Sequence, residues 1–418
     1  MSSLIVQGGV RLTGRVRIGG SKNASVAIMP ATLFGAGPTR LEDLPDINDV
    51  KVFSEILRAL GVRVDRQEDG SVIIDPSGLS RWDAPYELVK RLRASYYLLG
   101  VLLGRFGMAE VALPGGCDIG LRPIDQHLKG FRALGAQVSM EHGIVKLKAK
   151  ELRGAEIYLD VVSVGATINI MLAAAMAKGT TVIENAAKEP HIVDLANLLN
   201  AMGARVQGAG TDVIKIRGTD HLNGCTHAVI PDDIEAGTYV MMAAATHGDV
   251  RVENVIPKHL DSVTAKLREA GVIVEENGDW VRVAAPARLK AVNVKTLPYP
   301  GFPTDLQQPF VALMAIAEGV SVVHETIWDN RFGYANELIR MGARIKIDGR
   351  TAFIEGVPKL FGIPVRSKND LRAGAALIIA ALSADGESEV DGMEYVDRGY
   401  ERIDEKMRSL GATVRREG

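Results

Sequence analysis

The sequence predicts an α/β protein of two domains, built from six copies of one βαβαββ-like unit. Three observations carry this. A short phrase recurs as LRALGVRV (57–64), FRALGAQV (131–138), LNAMGARV (199–206), LREAGVIV (267–274), LIRMGARI (338–345) and MRSLGATV (407–414). Its glycines, at 61, 135, 203, 271, 342 and 411, are spaced by 74, 68, 68, 71 and 69 residues. An alanine-rich apolar stretch, a glycine and a β-branched run precede the phrase, as in IMLAAAMAKGTTVIENA (170–186) and YVMMAAATHGDVRVENV (239–255). Finally, the N-terminal LIVQGGVRLTGRVRIGGSKN (4–23) parallels FIEGVPKLFGIPVRSKND (353–370), which closes the fifth copy.

Each element follows from its pattern. A stretch that is apolar all round reads as a helix buried on every side. The β-branched run after its glycine reads as a strand. The recurring phrase is a second helix that ends at a C-terminal glycine and passes into another strand. A hairpin-like pair closes the unit, as in GTDVIKIRGTDHLNGCTHAVI (210–230). The sixth copy stops at MRSLGATVRREG without its closing pair, and the N-terminal segment supplies it. Residues 21–230 then form one three-copy domain, and residues 1–20 with 231–418 the other. The chain crosses between them near Gly20 and Pro231, which predicts a hinge and a ligand cleft between the two. A continuous solenoid of six units is the alternative, disfavoured because the N-terminal completion leaves no free end to cap.

Composition narrows the class. The 418 residues are 47% hydrophobic and 24% charged with a net charge of -2, a globular composition. Neither a basic excess nor a charged tail points to nucleic acid. No apolar run reaches the roughly 20 residues that span a bilayer. MSSLIVQGGVRLTG lacks the core of a secretory signal. Two distant cysteines make no disulfide framework. The expectation is a cytoplasmic protein with free thiols.

Polar residues gather where the first helix of each copy begins: GGSKNAS (19–25), VKRLRAS (89–95), VVSVGAT (161–167), PDDIEAG (231–237), FPTDLQQ (302–308) and SKNDLRA (367–373). Free N–H groups and the positive dipole end make such starts anion sites. Ser163 and Asp370 suit helix caps as well as function. Lys22, Arg93 and Arg372 oppose the dipole, so an anion is needed to reconcile them. A ligand with several phosphate or carboxylate charges is expected. No GxxxxGK[ST], GxGxxG, HExxH or CxxC occurs. His221 and His247 read as surface residues, His127 as packed or ligand-facing, and Cys225 as structural or incidental.

One loop remains unexplained by packing: LPGGCDIGLRP (113–123) sets Cys117 among glycines. With GSKNA (20–24), SVGAT (163–167), FPTD (302–305), DNRF (329–332), DLRA (370–373) and DRGYERID (397–404), it resembles the enolpyruvyl transferase family, in the branch that acts on UDP-N-acetylglucosamine. The resemblance spans the whole chain. The sibling branch, which makes 5-enolpyruvylshikimate 3-phosphate, shares the sixfold repeat but not the cysteine loop or this SKN.

The resemblance implies two inside-out α/β barrel domains, the substrates phosphoenolpyruvate and UDP-N-acetylglucosamine, and neither metal nor nucleotide cofactor. It implies a place at the start of peptidoglycan synthesis. The sugar 3′-hydroxyl adds to C2 of phosphoenolpyruvate while C3 takes a proton, and the ketal then loses phosphate and a C3 proton. Cys117 becomes the acid at C3, on a loop that glycines 115, 116 and 120 let fold over substrate. Asp305 orients or deprotonates the hydroxyl. Lys22, Arg122 and Arg398 hold phosphoenolpyruvate, with Asn23, Asp370 and Arg372 beside it. Asn23, Arg93, Arg122, Pro123, Ile124, Asp125, Gln126, Val161, Val162, Ser163, Val164, Asp305 and Ile327 hold the nucleotide sugar. Some members carry a basic residue at the Val161 position, and many carry valine at Ile327. A shikimate-type transferase and a non-catalytic binding paralogue are the rival readings.

The family is inhibited by the epoxide fosfomycin. The drug should add its mass to Cys117 and not to Cys225, faster with UDP-N-acetylglucosamine present. Cys117→Asp should stay active with an optimum at lower pH and escape labelling, because a carboxylic acid, pKa about 3.9 in reference peptides, donates protons but attacks epoxides poorly. Cys117→Ser should lose turnover. Intact-mass and peptide mapping decide this, and adduct on Cys225 would refute it.

Overall fold

The computed structural model describes residues 2–112 and 123–418. Contacts divide it into two compact units, residues 2–19 with 231–418, and residues 20–112 with 123–230. In each, helices take the inside and strands the outside.

Three apolar helices form the centre of the second of these units: Lys22–Ala31, Leu98–Phe106 and Val164–Ala175. Asp233–Ala245, Gln307–Met314 and Leu371–Ser383 do the same in the other. Ala166 to Ala175 and Ile234 to Ala245 are buried without a break. That is how a helix with no polar face is satisfied. Amphipathic helices such as Asn48–Ala59 and Asp261–Glu269 lie outside them. The glycine after each outer helix has φ of 96°, 96°, 108°, 91°, 101° and 91° at 61, 135, 203, 271, 342 and 411. A left-handed residue ends the helix and turns the chain into the next strand, which is why the phrase keeps its glycine.

The third copy shows the unit most plainly: strand Glu156–Tyr158, helix Val164–Ala175, strand Thr180–Glu184, helix Pro190–Ala201, strands Arg205–Gln207 and Val213–Arg217. The first strand pairs parallel with Thr180–Glu184 across the helix, and the others pair antiparallel. Most sheets have four strands and one has three, and among the described residues none closes on itself.

Within each compact unit the copies are joined up circularly. The last strand of one copy enters the sheet of the next, so Thr226–Ala228 of the third copy pairs with Thr39–Glu42 of the first. In the other unit the N-terminal segment makes this closure twice. Ser3–Gln7 lies between Glu387–Asp391 and Thr413–Glu417, antiparallel to both. Thr13–Arg17 leaves that sheet and pairs parallel with Asp249–Glu253. The N-terminal segment therefore adds a strand to the sheet of the sixth copy and another to that of the fourth.

Gly203 tests the turn in isolation, because a Cβ there would meet nothing within 4 Å. Gly203→Ala should cost about 1–2 kcal/mol from backbone strain alone. A thermal melt shows it, and an unchanged midpoint would show that the left-handed turn is not required.

Candidate active site

In the first unit, polar side chains converge at two helix starts. Asp305 lies in a 3-10 turn, Thr304–Leu306, one turn ahead of the helix Gln307–Met314, instead of within the helix itself. Its Oδ1 accepts from Arg331 Nη2 at 3.0 Å, and its Oδ2 from Arg372 Nη2 and Nε at 3.2 and 3.3 Å. Both arginine side chains are almost wholly buried, at 3% and 2% exposure, against 30% for Asp305. Asp370 caps the helix Leu371–Ser383 through Oδ1, accepting from the Arg372 and Ala373 N–H groups. Its Oδ2 accepts from Gln308 Nε2 at 2.7 Å and lies 3.8 Å from Arg331. Capping and membership of the cluster are thus both true of Asp370.

Carboxylates surround both guanidiniums, but the hydrogen bonds are incomplete. Arg331 Nε, Arg372 Nη1 and Gln307 Nε2 are buried donors with no acceptor among the described residues. A buried N–H left unpaired costs about 1–3 kcal/mol. An anion delivered to these groups would recover that cost. Burial of Arg372 disfavours its charge, yet Tyr400, Asp305 and Asp232 outweigh burial and hold its pKa above the usual value. Its guanidinium lies over the Tyr400 ring, 5.3 Å from the centroid. Nearby Asp233 is pushed up by burial and then by Asp232, with Arg372 pulling the other way. Arg398 is half-buried in the turn after the short helix Met393–Val396. Ile327 is half-buried, with its N–H on Glu325 Oε1 at 2.8 Å.

The second unit carries the other candidates. Lys22 opens its helix behind the Ser21 cap, whose oxygen accepts from Ala24 N–H. Its Nζ lies 3.5 Å from Asp49 and donates to Asn23 Oδ1 at 3.3 Å. The anion that reconciles Lys22 with the dipole is therefore in part a protein carboxylate. Arg93 lies in a 3-10 turn, Arg93–Tyr97, before the helix rather than in it. Ser163 caps Val164–Ala175, accepting from Ala166 N–H. Val161 and Val162 are exposed, at 59% and 37%. Asp125 and Gln126 open the helix that follows Pro123 and Ile124. The Gln126 amide is taken up by the protein, donating to Asp125 and Asp160 and accepting from Asp160 N–H. It braces the segment that leads to Val161.

Cys117 and Arg122, with glycines 115, 116 and 120, lie outside the described residues. Cys225 is half-buried, and burial raises its thiol pKa, which lowers its nucleophilic fraction. His221 and His247 are exposed. Asp49 and Arg331 escaped the sequence reading. Arg331 stands within DNRF, a segment that carried the resemblance without a role for its arginine.

His127 is a packed residue with one defined tautomer. The Gly100 N–H can only donate, so the Asn169 atom at 2.9 Å from it is Oδ1. Asn169 Nδ2 then faces the Tyr96 carbonyl at 3.1 Å and His127 Nδ1 at 2.9 Å. Nδ1 must accept, so the proton sits on Nε2. Burial lowers the pKa to about 4, with Asp125 opposing and Arg93 assisting. Above pH about 6.5 neither folded nor unfolded His127 is charged. As pH falls from there toward 4, only the unfolded chain takes up the proton, so the fold loses up to about 3 kcal/mol. Nitrogen-15 NMR should show neutral, Nε2-protonated His127 at pH 5.5. Titration at its ordinary value would overturn the assignment.

The family model described as EPSP synthase (3-phosphoshikimate 1-carboxyvinyltransferase) matches residues 6–407. A relative from Caldanaerobacter subterraneus subsp. tengcongensis, named UDP-N-acetylglucosamine 1-carboxyvinyltransferase 3, is 55% identical over 99% of both chains. One from Clostridium botulinum, named UDP-N-acetylglucosamine 1-carboxyvinyltransferase, is 56% identical over 99% of both. Among solved structures, the enolpyruvyl transferase NikO from Streptomyces tendae is 29% identical with a TM-score of 0.88, covering 99% of this chain and 98% of its own. EPSP synthase from Acinetobacter baumannii, 21% identical over all of both chains with a TM-score of 0.77, shares the fold. The chain belongs to the enolpyruvyl transferase family.

Proposed function

We infer that this chain transfers the enolpyruvyl group of phosphoenolpyruvate to the 3′-hydroxyl of UDP-N-acetylglucosamine, releasing phosphate, as the entry step of peptidoglycan synthesis. The observation that supports it best is the carboxylate held between two buried guanidiniums that keep unpaired N–H donors. Full-length relatives with the matching name supply the substrate.

A carboxylate that accepts from two cations is a poor base, so Asp305 first orients the hydroxyl. An anion arriving at Arg331 and Arg372 competes for the same guanidiniums and frees Asp305 to take the hydroxyl proton. The oxygen then adds to C2, and Cys117 gives a proton to C3. Loss of phosphate from C2 and of a proton from C3 completes the exchange, so one C–O bond forms and one breaks. Lys22, Arg122 and Arg398 hold the phosphate and carboxylate, with Asn23, Asp370 and Arg372 beside them. Arg93, residues 123–126 and 161–164, and Ile327 take the nucleotide sugar. Fixed cations in a desolvated site stabilise the developing charge without reorganising.

Release of inorganic phosphate tests this. It should require phosphoenolpyruvate and UDP-N-acetylglucosamine together, and shikimate 3-phosphate should not replace the sugar. Lys22→Ala should lower turnover at least about tenfold, since a charged hydrogen bond in such a site is worth roughly 1.5–3 kcal/mol. Phosphate release with shikimate 3-phosphate, or none with either acceptor, would sink the reading.

A further inference from the structure

Glu325 is fully buried, and neither the reaction nor the helix starts account for it. Its carboxylate collects four donors from three separate segments. Oε1 accepts from Thr296 Oγ1 at 2.8 Å, from Ile327 N–H at 2.8 Å and from Trp328 N–H at 3.3 Å. Oε2 accepts from Thr304 Oγ1 at 2.9 Å. Thr326 returns two bonds to Thr296, from its N–H to Oγ1 at 2.9 Å and from its hydroxyl to the carbonyl oxygen at 2.5 Å.

These segments carry the site. Thr304 opens the single 3-10 turn that holds Asp305, and Leu306 N–H closes that turn on the Pro303 carbonyl. Ile327 and Arg331 come from the segment that leaves strand Val320–His324 at Glu325. A turn of three residues has little rigidity of its own. The Thr304–Glu325 bond ties it to a carboxylate that also holds the Ile327 backbone.

We propose that Glu325 is a positioning residue that sets, through Thr304, the separation between Asp305 and Ile327. It rests on the reading of those two residues as contacts of the nucleotide sugar. Its role is one of spacing, since a neutral group of the same shape can make the same bonds. In Glu325→Gln, the carbonyl oxygen keeps the Oε1 partners. The amide then faces Thr304, whose hydroxyl rotates to accept instead of donate.

The experiment uses full-length protein and two readouts: phosphate release at varied UDP-N-acetylglucosamine, and calorimetric binding of that nucleotide sugar without phosphoenolpyruvate. Thr304→Val should raise KM and Kd for the sugar and lower kcat, each about tenfold, because small misplacements near reacting groups are costly in rate. Thr304→Ser and Glu325→Gln should stay within about threefold of the wild type. Thr304→Ala carries the same expectation as the valine variant if the latter does not fold. A lower melting temperature with unchanged kcat, KM and Kd in Thr304→Val or Thr304→Ala would overturn the proposal. So would failure of Thr304→Ser to restore binding, or a folded Glu325→Gln that loses as much as Thr304→Val. If wild-type protein releases no phosphate but binds the nucleotide sugar, the functional reading falls, and the Kd series still decides the positioning.

Discussion

A helix enclosed by apolar neighbours can offer chemistry only at its ends. Six such helices fill the two units, and most of their length is buried and apolar, as at Ala173, Ala244 and Ala380, with the few polar side chains there, such as Asn169 and Thr238, taken up by the protein. Polar function is thereby pushed to the first turn, where unsatisfied N–H groups already favour negative charge. Lys22, Ser163, Asp305 and Asp370 all lie at such starts. The architecture explains why a nearly neutral protein can concentrate affinity for anions.

That constraint also explains what the sequence discloses. The six glycines are legible because a left-handed turn needs glycine wherever it occurs, and the period repeats that need. The helix starts are legible because polar residues interrupt long apolar stretches. Asp49, Arg331 and Glu325 are not legible in this way. Asp49 comes from an outer amphipathic helix, where an acidic residue looks like ordinary solvated surface. Glu325 follows a strand and looks like the start of a loop, yet it is buried. Their importance comes from convergence in space, which carries no local period. Gln126 has a second role that the sequence does not show, since its amide also ties down Asp160.

The cluster around Asp305 shows how buried charge is managed in this unit. Two guanidiniums buried without carboxylates would be prohibitively unstable. Two guanidiniums fully paired by carboxylates would have nothing left to offer. Asp305 accepts from both guanidiniums and Asp370 lies 3.8 Å from Arg331, which leaves Arg331 Nε and Arg372 Nη1 unpaired among the described residues. The cluster is neutralised in part and keeps hydrogen-bonding capacity in reserve.

The N-terminal strands bear on how the molecule is made. Ser3–Gln7 is synthesised before both of its neighbours, which end at Asp391 and Glu417. Thr13–Arg17 likewise waits for Asp249–Glu253. On the ribosome, residues 20–230 have all their strand partners in hand long before the first strands do. Ser3–Gln7 must remain unpaired until Asp391 has emerged and Thr13–Arg17 until Glu253 has, and their edges are exposed to other chains for that time. The pattern of the second strand suits that wait, since Thr13–Arg17 carries two arginines and a glycine among five residues, and charge of this kind resists stray β-pairing.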